Sequence, residues 1–260
     1  MRIALGIEYD GTSYNGWQRQ KTGLGVQQCL EEALSRVANE RVEVVCAGRT
    51  DTGVHASGQV IHFDTESVRS ERGWLLGANT NLPEDISVTW VKPVDKDFHA
   101  RFSAVARRYC YLILNRLQRS ALYRQRAWWV YEPLDETPMQ AAAHLLLGEH
   151  DFSAFRAAAC QANTAVREIT DLSISRTDDW LRIDVTANAF LMNMVRNIVG
   201  TLVAVGLGEH SVDWIGDVLE SRDRKKGGIT APPHGLTLVG VEYPDAFGVP
   251  VAGCSRAIWI

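Results

Sequence analysis

The stretch Cys46-Ala47-Gly48-Arg49-Thr50-Asp51-Thr52-Gly53-Val54-His55 organises the fold prediction, because it separates two apolar runs, 42–46 and 59–63, that are typical of strands. Glycines on either side of Arg49 and Asp51 allow a tight, exposed turn. An arginine beside an aspartate favours the ionised carboxylate, so Asp51 is a candidate oxygen nucleophile at neutral pH. The alternative is that Asp51 only satisfies the backbone of its own turn.

On either side of this turn, the first half of the chain predicts the order β-α-β-β-α-β of a ferredoxin-like split unit. Its predicted strands are 2–9, 42–46, 59–63 and 85–91, and its predicted helices are 26–39 and 69–76. The second half is similarly mixed, with strands at 107–114, 169–175, 181–186 and 236–243 and helices at 137–147, 189–205 and 212–221. We therefore predict an α+β protein with two ferredoxin-like (split βαβ) halves, whose antiparallel sheets form a central cleft.

This pattern gives a domain prediction. Residues 1–98 form an N-terminal α+β half that carries the Asp51 turn, and residues 99–250 form a C-terminal half. The seam between them is expected in 95–100, although no low-complexity linker marks it. The tail 251–260 contains Trp259 but no readable motif.

The composition allows a sizeable core, since 46% of the residues are apolar. The net charge is −4, from 27 basic and 31 acidic residues, so the overall charge does not indicate a nucleic-acid partner. Five cysteines, an odd number without a C-x-x-C pair, favour neither disulfides nor a zinc site and fit a reducing, cytoplasmic setting. Glu8 and Asp10 come too early for a signal peptide.

Residues 189–206 are apolar and about long enough to cross a bilayer, but Arg196 lies in the middle of them. A charge at that position costs roughly 2.5–3.5 kcal/mol on insertion scales, so we expect a buried helix and no membrane segment. A buried guanidinium needs a carboxylate partner. Two candidates remain open: Asp184 as a structural partner, or Asp51 across the predicted cleft.

A basic segment, which we call the arginine strip, covers residues 101–126. It holds no Asp or Glu and seven arginines: Arg101, Arg107, Arg108, Arg116, Arg119, Arg124 and Arg126. Four aromatic residues at 102, 109, 111 and 123 are interleaved with them. This composition suits phosphate contacts and stacking on unpaired bases, and the alternative is an ordinary solvated face. A second, weaker basic site is predicted at 222–226.

Two further observations limit the kind of chemistry. The histidines are too dispersed for metal-ligand spacing, so we expect no metal site. Asp51-Thr52-Gly53 also matches the D-T-G signature of aspartic proteases, but those enzymes need two carboxylates that share a proton. This chain has one such motif, and Arg49 would oppose proton sharing.

Six stretches together resemble one known family. The turn Gly48-Arg49-Thr50-Asp51-Thr52-Gly53-Val54-His55 resembles the G-R-T-D-[AS]-G-V-H motif of the tRNA pseudouridine synthases that modify the anticodon arm, the TruA family. Further matching stretches, in family order, are Glu8-Tyr9-Asp10-Gly11 with Gly16-Trp17-Gln18, Phe98-His99-Ala100-Arg101-Phe102-Ser103-Ala104, Arg108-Tyr109-Cys110-Tyr111, Asp151-Phe152-Ser153-Ala154-Phe155 and Met194-Val195-Arg196-Asn197. Thr52 departs from the smaller residue usual in the family.

The resemblance implies a pseudouridine synthase fold and an isomerase that acts on uridines 38, 39 or 40 of tRNA. It also implies a homodimer and no nucleotide or other cofactor. Asp51 matches the catalytic aspartate, Arg49 the arginine that fills the place of the flipped base, Tyr109 the tyrosine that stacks on that base, and Arg196 the arginine paired with the aspartate. Arg101, Arg107 and Arg108 are expected to contact the substrate phosphates.

Overall fold

The computed structural model describes residues 1–250, so the predicted tail 251–260 lies outside the described residues. The chain divides into two compact units. Unit 1 comprises Met1–Arg107 and the chain from Leu238 onward, and unit 2 comprises Arg108–Thr237. These divisions differ from the predicted seam at 98/99. The predicted functional domains 1–98 and 99–250 stay a prediction.

Unit 1 has the predicted β-α-β-β-α-β order. Its elements are β1 (Arg2–Tyr9), α1 (Val26–Ala38), β2 (Val45–Cys46), β3 (His55–Asp64), α2 (Glu71–Asn81) and β4 (Ile86–Val94). Strand β1 pairs antiparallel with both β3 and β4, and β2 pairs antiparallel with β3. Each βαβ pair is thus split by a strand of the other pair, which is the ferredoxin-like arrangement. The α+β prediction is confirmed.

Helix α2 runs five residues beyond the predicted end at 76. The added turn includes Gly77, a residue that usually weakens a helix. In the structure, a Cβ on Gly77 would lie only 3.0 Å from Cγ2 of Val37 on α1. The glycine therefore allows the two helices to approach closely, and this contact explains its place inside a helix.

Unit 2 combines further strands with three helices. Its elements are β5 (Ala106–Asn115, which begins in unit 1), β6 (Trp128–Val130), α3 (Glu136–His144), β7 (Gly148–Asp151), β8 (Val166–Thr177), β9 (Trp180–Ala187), α4 (Met194–Gly206) and α5 (Trp214–Ser221). The strand order is β5-β9-β8-β7, and β6 pairs parallel with β5. Sequence reasoning missed β6 and β7 because strands of three and four residues carry too little periodicity.

Helix α4 begins at Met194 rather than at the predicted residue 189. Asn193, which precedes it, has a left-handed backbone (φ 61°) that cannot belong to the helix. Arg196 consequently lies in the first turn of α4 and not in its middle. Every residue of Met194–Gly206 except Arg196 is buried. No helix within residues 1–250 combines the length and the apolarity that crossing a bilayer requires.

The last strand, β10 (Leu236–Glu242), returns the chain to unit 1. It lies beside β3, where a Cβ on Gly58 would approach the carbonyl oxygen of Val239 to 2.3 Å. The sequence placed this strand in the second half, and the contacts from Leu238 onward assign it to unit 1 instead.

Candidate functional site

The Asp51 loop joins β2 to β3 in unit 1. The amide N–H of Val54 donates to the carbonyl oxygen of Asp51 (3.1 Å), which closes a four-residue turn in which Gly53 has φ 76°. Asp51 is half-buried, whereas Thr50 and Val54 on either side of it are buried. The loop is therefore buried on both sides of Asp51, at Thr50 and at Val54, and Asp51 itself reaches the surface.

Thr50 is held by residues from two stretches that match the family motifs, 8–11 and 16–18. The hydroxyls of Tyr9 and Thr50 lie 2.8 Å apart, and the amide N–H of Trp17 donates to the Thr50 carbonyl oxygen (3.0 Å). Gly16 has φ 85°, and a Cβ there would lie 2.7 Å from the same carbonyl oxygen. Only a glycine fits this conformation and this contact without strain.

At the other end of the loop, the backbone of Val54 packs directly on Gly11. A Cβ at this position would lie 2.0 Å from the carbonyl oxygen of Val54, so the two backbones touch. The amide N–H of Gly11 donates to Nδ1 of His55 (3.0 Å), and His55 is buried. The same Nδ1 lies 3.1 Å from a carboxylate oxygen of Asp10. Nδ1 can accept from this amide only in a ring that carries no proton on Nδ1, whereas an ion pair with Asp10 needs the protonated ring.

Gln59 supports the loop from β3. Its side-chain amide donates to the carbonyl oxygen of Gly48 (2.6 Å), and its Oε1 accepts from the amide N–H of Gly48 (3.4 Å). The side chain is fully buried, so both contacts are shielded from water. Sequence reasoning missed this residue, although an amide inside an apolar strand was a usable signal.

Arg107 is buried against the start of the loop, with 9% of its surface exposed. Its guanidinium donates to the carbonyl oxygens of Ala47 (3.1 Å), Arg101 (2.6 Å) and Ala104 (3.0 Å). These three donations go to the backbone of its own unit, and the contact of Arg107 with phosphate stays a prediction. The donation to Ala47 supports the start of the Asp51 loop.

Two other groups near the loop differ in their chemistry. Arg49 is exposed and can reach a bound molecule. Burial raises the pKa of the Cys46 thiol to about 12, so Cys46 is a neutral thiol and not a competing nucleophile. The carboxylate of Asp51 is accordingly the better candidate for nucleophilic or electrostatic chemistry in this loop.

Unit 2 holds the other predicted site residues. Tyr109 on β5 is buried, and its ring packs edge-on against Phe190 with 5.1 Å between the ring centroids. Arg196 Nε donates to the carbonyl oxygen of Ala231 (2.8 Å), and one terminal nitrogen donates to the side-chain oxygen of Asn193 (3.0 Å). The guanidinium is thereby fixed at the start of α4.

The alternative carboxylate for Arg196 was Asp184. In the structure, both oxygens of Asp184 accept from Arg182, at 2.6 and 2.8 Å. Because this bidentate pair already occupies the carboxylate of Asp184, Asp184 is a weaker candidate for the partner of Arg196. The pairing of Arg196 with Asp51, which lie in different units, stays a prediction.

Arginines of the strip differ in their exposure. Arg101, Arg119 and Arg124 are exposed, Arg108 is half-buried, and Arg116 lies 3.4 Å from Asp179.

Among residues 1–250, no group of three or more His, Cys, Asp and Glu side chains is arranged to hold a metal ion. An α+β unit that presents a carboxylate on a braced loop is suited to an enzyme that works through that carboxylate.

A sequence profile described as tRNA pseudouridine synthase matches residues 6–103 and 142–244. A relative from Pseudoalteromonas atlantica named tRNA pseudouridine synthase A is 57% identical over 96% of this chain and 95% of its own length. A relative of the same name from Nitrosococcus oceani is 52% identical over the full length of both chains. The chain belongs to the tRNA pseudouridine synthase family, whose members are isomerases that convert uridine to pseudouridine.

Among solved structures, a chain of a Cbf5–Nop10–Gar1 complex matches with a TM-score of 0.35 and 9% identity. The match covers 77% of this chain and 44% of that one. A likeness this weak supports no conclusion about the present chain. The family assignment therefore stands on the sequence comparisons, and it replaces the aspartic protease alternative.

Proposed function

We propose that this protein isomerises uridine to pseudouridine at position 38, 39 or 40 of the tRNA anticodon stem-loop, with Asp51 as the essential carboxylate. The reaction breaks the N1–C1′ bond, turns the uracil and forms a C5–C1′ bond. C5 loses a proton and N1 gains one, so substrate and product are isomers. The electron count does not change, and the proposal needs no cofactor.

One observation carries the proposal. Asp51 stands half-buried between the buried residues Thr50 and Val54, and Tyr9, Gly11, Gly16 and Trp17, which contact these two residues, all lie in stretches that match the family. Catalytic groups must be held close to their productive geometry by their surroundings. A turn whose aspartate only satisfied local backbone would not require such support.

A uridine in or next to a stem must leave the base stack before its C1′ can be reached, at a cost of a few kcal/mol. Arg49 is exposed on the same loop as Asp51, and we assign it to the space that the flipped base vacates. Tyr109 stacks on the flipped uracil and helps to remove the C5 proton. Arg196 pairs with Asp51 and keeps its carboxylate ionised and oriented.

Substrate binding is assigned to exposed cations. Arg101 and Arg108 contact phosphates, whereas Arg107 supports the loop from inside the unit. The protein acts in the cytoplasm as a homodimer, and sedimentation velocity measures its oligomeric state. These assignments rest on the family resemblance and on the charge of the arginine strip.

The test uses tRNA labelled with tritium at C5 of uracil, because pseudouridine formation releases that tritium to water. Asp51→Asn should bind tRNA as the wild type does and release no tritium, because the neutral amide is a poor nucleophile and a poor partner for developing positive charge. Glu84→Gln removes an exposed carboxylate elsewhere in unit 1 and is the matched control. Turnover by Asp51→Asn within tenfold of the wild type would contradict the assignment. A wild type that binds tRNA without releasing tritium would indicate an RNA-binding protein instead.

A further inference from the structure

Residues 98–104 form a rigid turn in unit 1 that presents one aromatic ring to solvent. The amide N–H of His99 donates to Oγ of Ser103, and the Ser103 amide returns a bond to the carbonyl oxygen of His99, both at 2.9 Å. The hydroxyl of Tyr243 donates to the carbonyl oxygen of Ala100 (2.6 Å). In this fixed turn Phe98 is fully buried, yet Phe102 is 76% exposed.

The exposed ring belongs to an ordered stack. Phe102 lies on the ring of His99 with 4.4 Å between centroids and 30° between planes, and His99 lies 4.8 Å from the buried ring of His62. Cζ of Arg101 is 5.5 Å from the centroid of Phe102. The ring therefore has an aromatic support and a neighbouring cation.

Both imidazoles in the stack are neutral at pH 7. Nδ1 of His99 accepts from the amides of Arg101 and Phe102 (3.2 Å each), and Nδ1 of His62 accepts from the Ala100 amide (3.1 Å). Burial lowers the pKa of His62 to about 4 and also lowers the pKa of His99. The support under Phe102 thus carries no charge of its own, and Arg101 provides the positive charge.

The position of this stack relates it to Asp51. One terminal nitrogen of Arg107 donates both to the carbonyl oxygen of Arg101 and to that of Ala47 in the Asp51 loop. The two backbones therefore share one anchor atom, which makes the stack a neighbour of the start of the Asp51 loop. Single exposed apolar residues are common on protein surfaces. This one differs because it is fixed, supported by a ring and next to a guanidinium.

We propose that Phe102, supported by His99 and flanked by Arg101, is a subsite that stacks an unpaired base of the tRNA near the target uridine. Proteins recognise unpaired bases by stacking them on aromatic rings, while a neighbouring arginine contacts the phosphate. The acid-free sequence around the ring fits a polyanion. This inference rests on the proposed function and adds a binding element to it.

The first test measures tRNA binding and tritium release by the full-length protein. Phe102→Leu keeps an apolar side chain without a π face and should weaken binding roughly 5- to 150-fold, the range expected when one base–aromatic stack is removed. Phe102→Trp keeps an aromatic ring at this position and should bind tRNA about as tightly as the wild type does. Val68→Ala trims another apolar side chain of unit 1, 79% exposed, and should bind as the wild type does.

The second test locates the base. Purines of the anticodon loop are replaced one at a time by 2-aminopurine, whose fluorescence falls when the base is stacked. At one position, quenching should occur with the wild type and with Phe102→Trp but not with Phe102→Leu. Equal binding and equal quenching by Phe102→Leu and wild type would overturn the proposal, as would weaker binding without a change in fluorescence at any position. A wild type that releases no tritium would instead refute the proposed function.

Discussion

Arg101 and Arg107 come from the same acid-free segment but differ in their surroundings in unit 1. Arg101 is exposed, whereas Arg107 is buried and gives its donors to three backbone carbonyl oxygens. A guanidinium offers five donors in a fixed plane, so it can join several chain segments at one point. The single residue thereby couples the segment 101–104 to the start of the Asp51 loop.

We expect Arg107→Gln to lower kcat by up to about 100-fold with a smaller change in KM, since a shift of the catalytic group by about 1 Å can have that effect. Buried carbonyl oxygens left without donors should also reduce the free energy of unfolding by about 1–3 kcal/mol. Arg107→Lys should recover part of kcat. Steady-state kinetics and urea unfolding measure these changes.

Arg176→Gln in unit 2 is the matched control for this experiment. Arg176 also donates to a carbonyl oxygen, that of Leu134, and pairs with Glu136 at 2.7 Å. This variant should lose stability without losing kcat. If Arg107→Gln behaves in the same way, Arg107 has no particular role at the Asp51 loop.

At the scale of elements, the Asp51 loop depends on a neighbouring loop whose backbone touches it. Gly16 has φ 85° and lies against Thr50, while Gly208 in unit 2 has φ 73° with nothing within 4 Å of an added Cβ. Both glycines have a positive φ, and an added Cβ would meet different surroundings at each. They can therefore separate backbone strain from a steric effect on the loop.

Gly208→Ala should reduce the free energy of unfolding by about 1–2 kcal/mol, the cost of a left-handed conformation for a residue with a Cβ, and should leave turnover unchanged. Gly16→Ala should add a collision with the Thr50 carbonyl oxygen and reduce turnover at least tenfold at a temperature where the protein is folded. Tritium release and thermal unfolding measure both effects. Equal turnover by the two variants would show that the loop tolerates displacement.

Prediction from sequence succeeded where one periodic pattern decided the result. Strand β1 was predicted at its observed limits because apolar side chains alternate along it. The prediction of α4 failed at its start, because Asn193 adopts a left-handed conformation that the apolar pattern does not reveal. Asp51 was singled out from glycines and charge, and its catalytic role stays a prediction; the supporting contacts of Gln59 and Arg107 were not predicted. Their roles depend on contacts with distant carbonyl groups, which no local spacing encodes.

At the scale of the whole molecule, charge is distributed unevenly. The chain carries −4 in total, whereas residues 101–126 carry +7. Burial of Arg107 and the neighbouring Asp179 at Arg116 reduce the number of strip arginines that can reach phosphate. Arg119 and Arg124 are exposed and are better placed for such contacts.

We expect the double variant Arg119→Gln, Arg124→Gln to weaken tRNA binding and to lower the slope of log K against log salt by about one for each phosphate that is no longer neutralised. Filter binding at several salt concentrations measures this slope. Arg41→Gln, whose parent side chain is 86% exposed in unit 1, is the control and should leave the slope unchanged. An unchanged slope in the double variant would exclude these two arginines from the binding face.

The return of β10 to unit 1 has a consequence for biosynthesis. A ribosome releases β1 to β4 early, but their neighbour at the edge of β3 emerges only after all of unit 2. Until then β3 exposes unpaired backbone groups, which can pair with another nascent chain. Domains usually mature in the order of their synthesis. Here the unit that bears Asp51 is the last to be completed, so a prematurely terminated chain carries the Asp51 loop without the strand β10 beside β3.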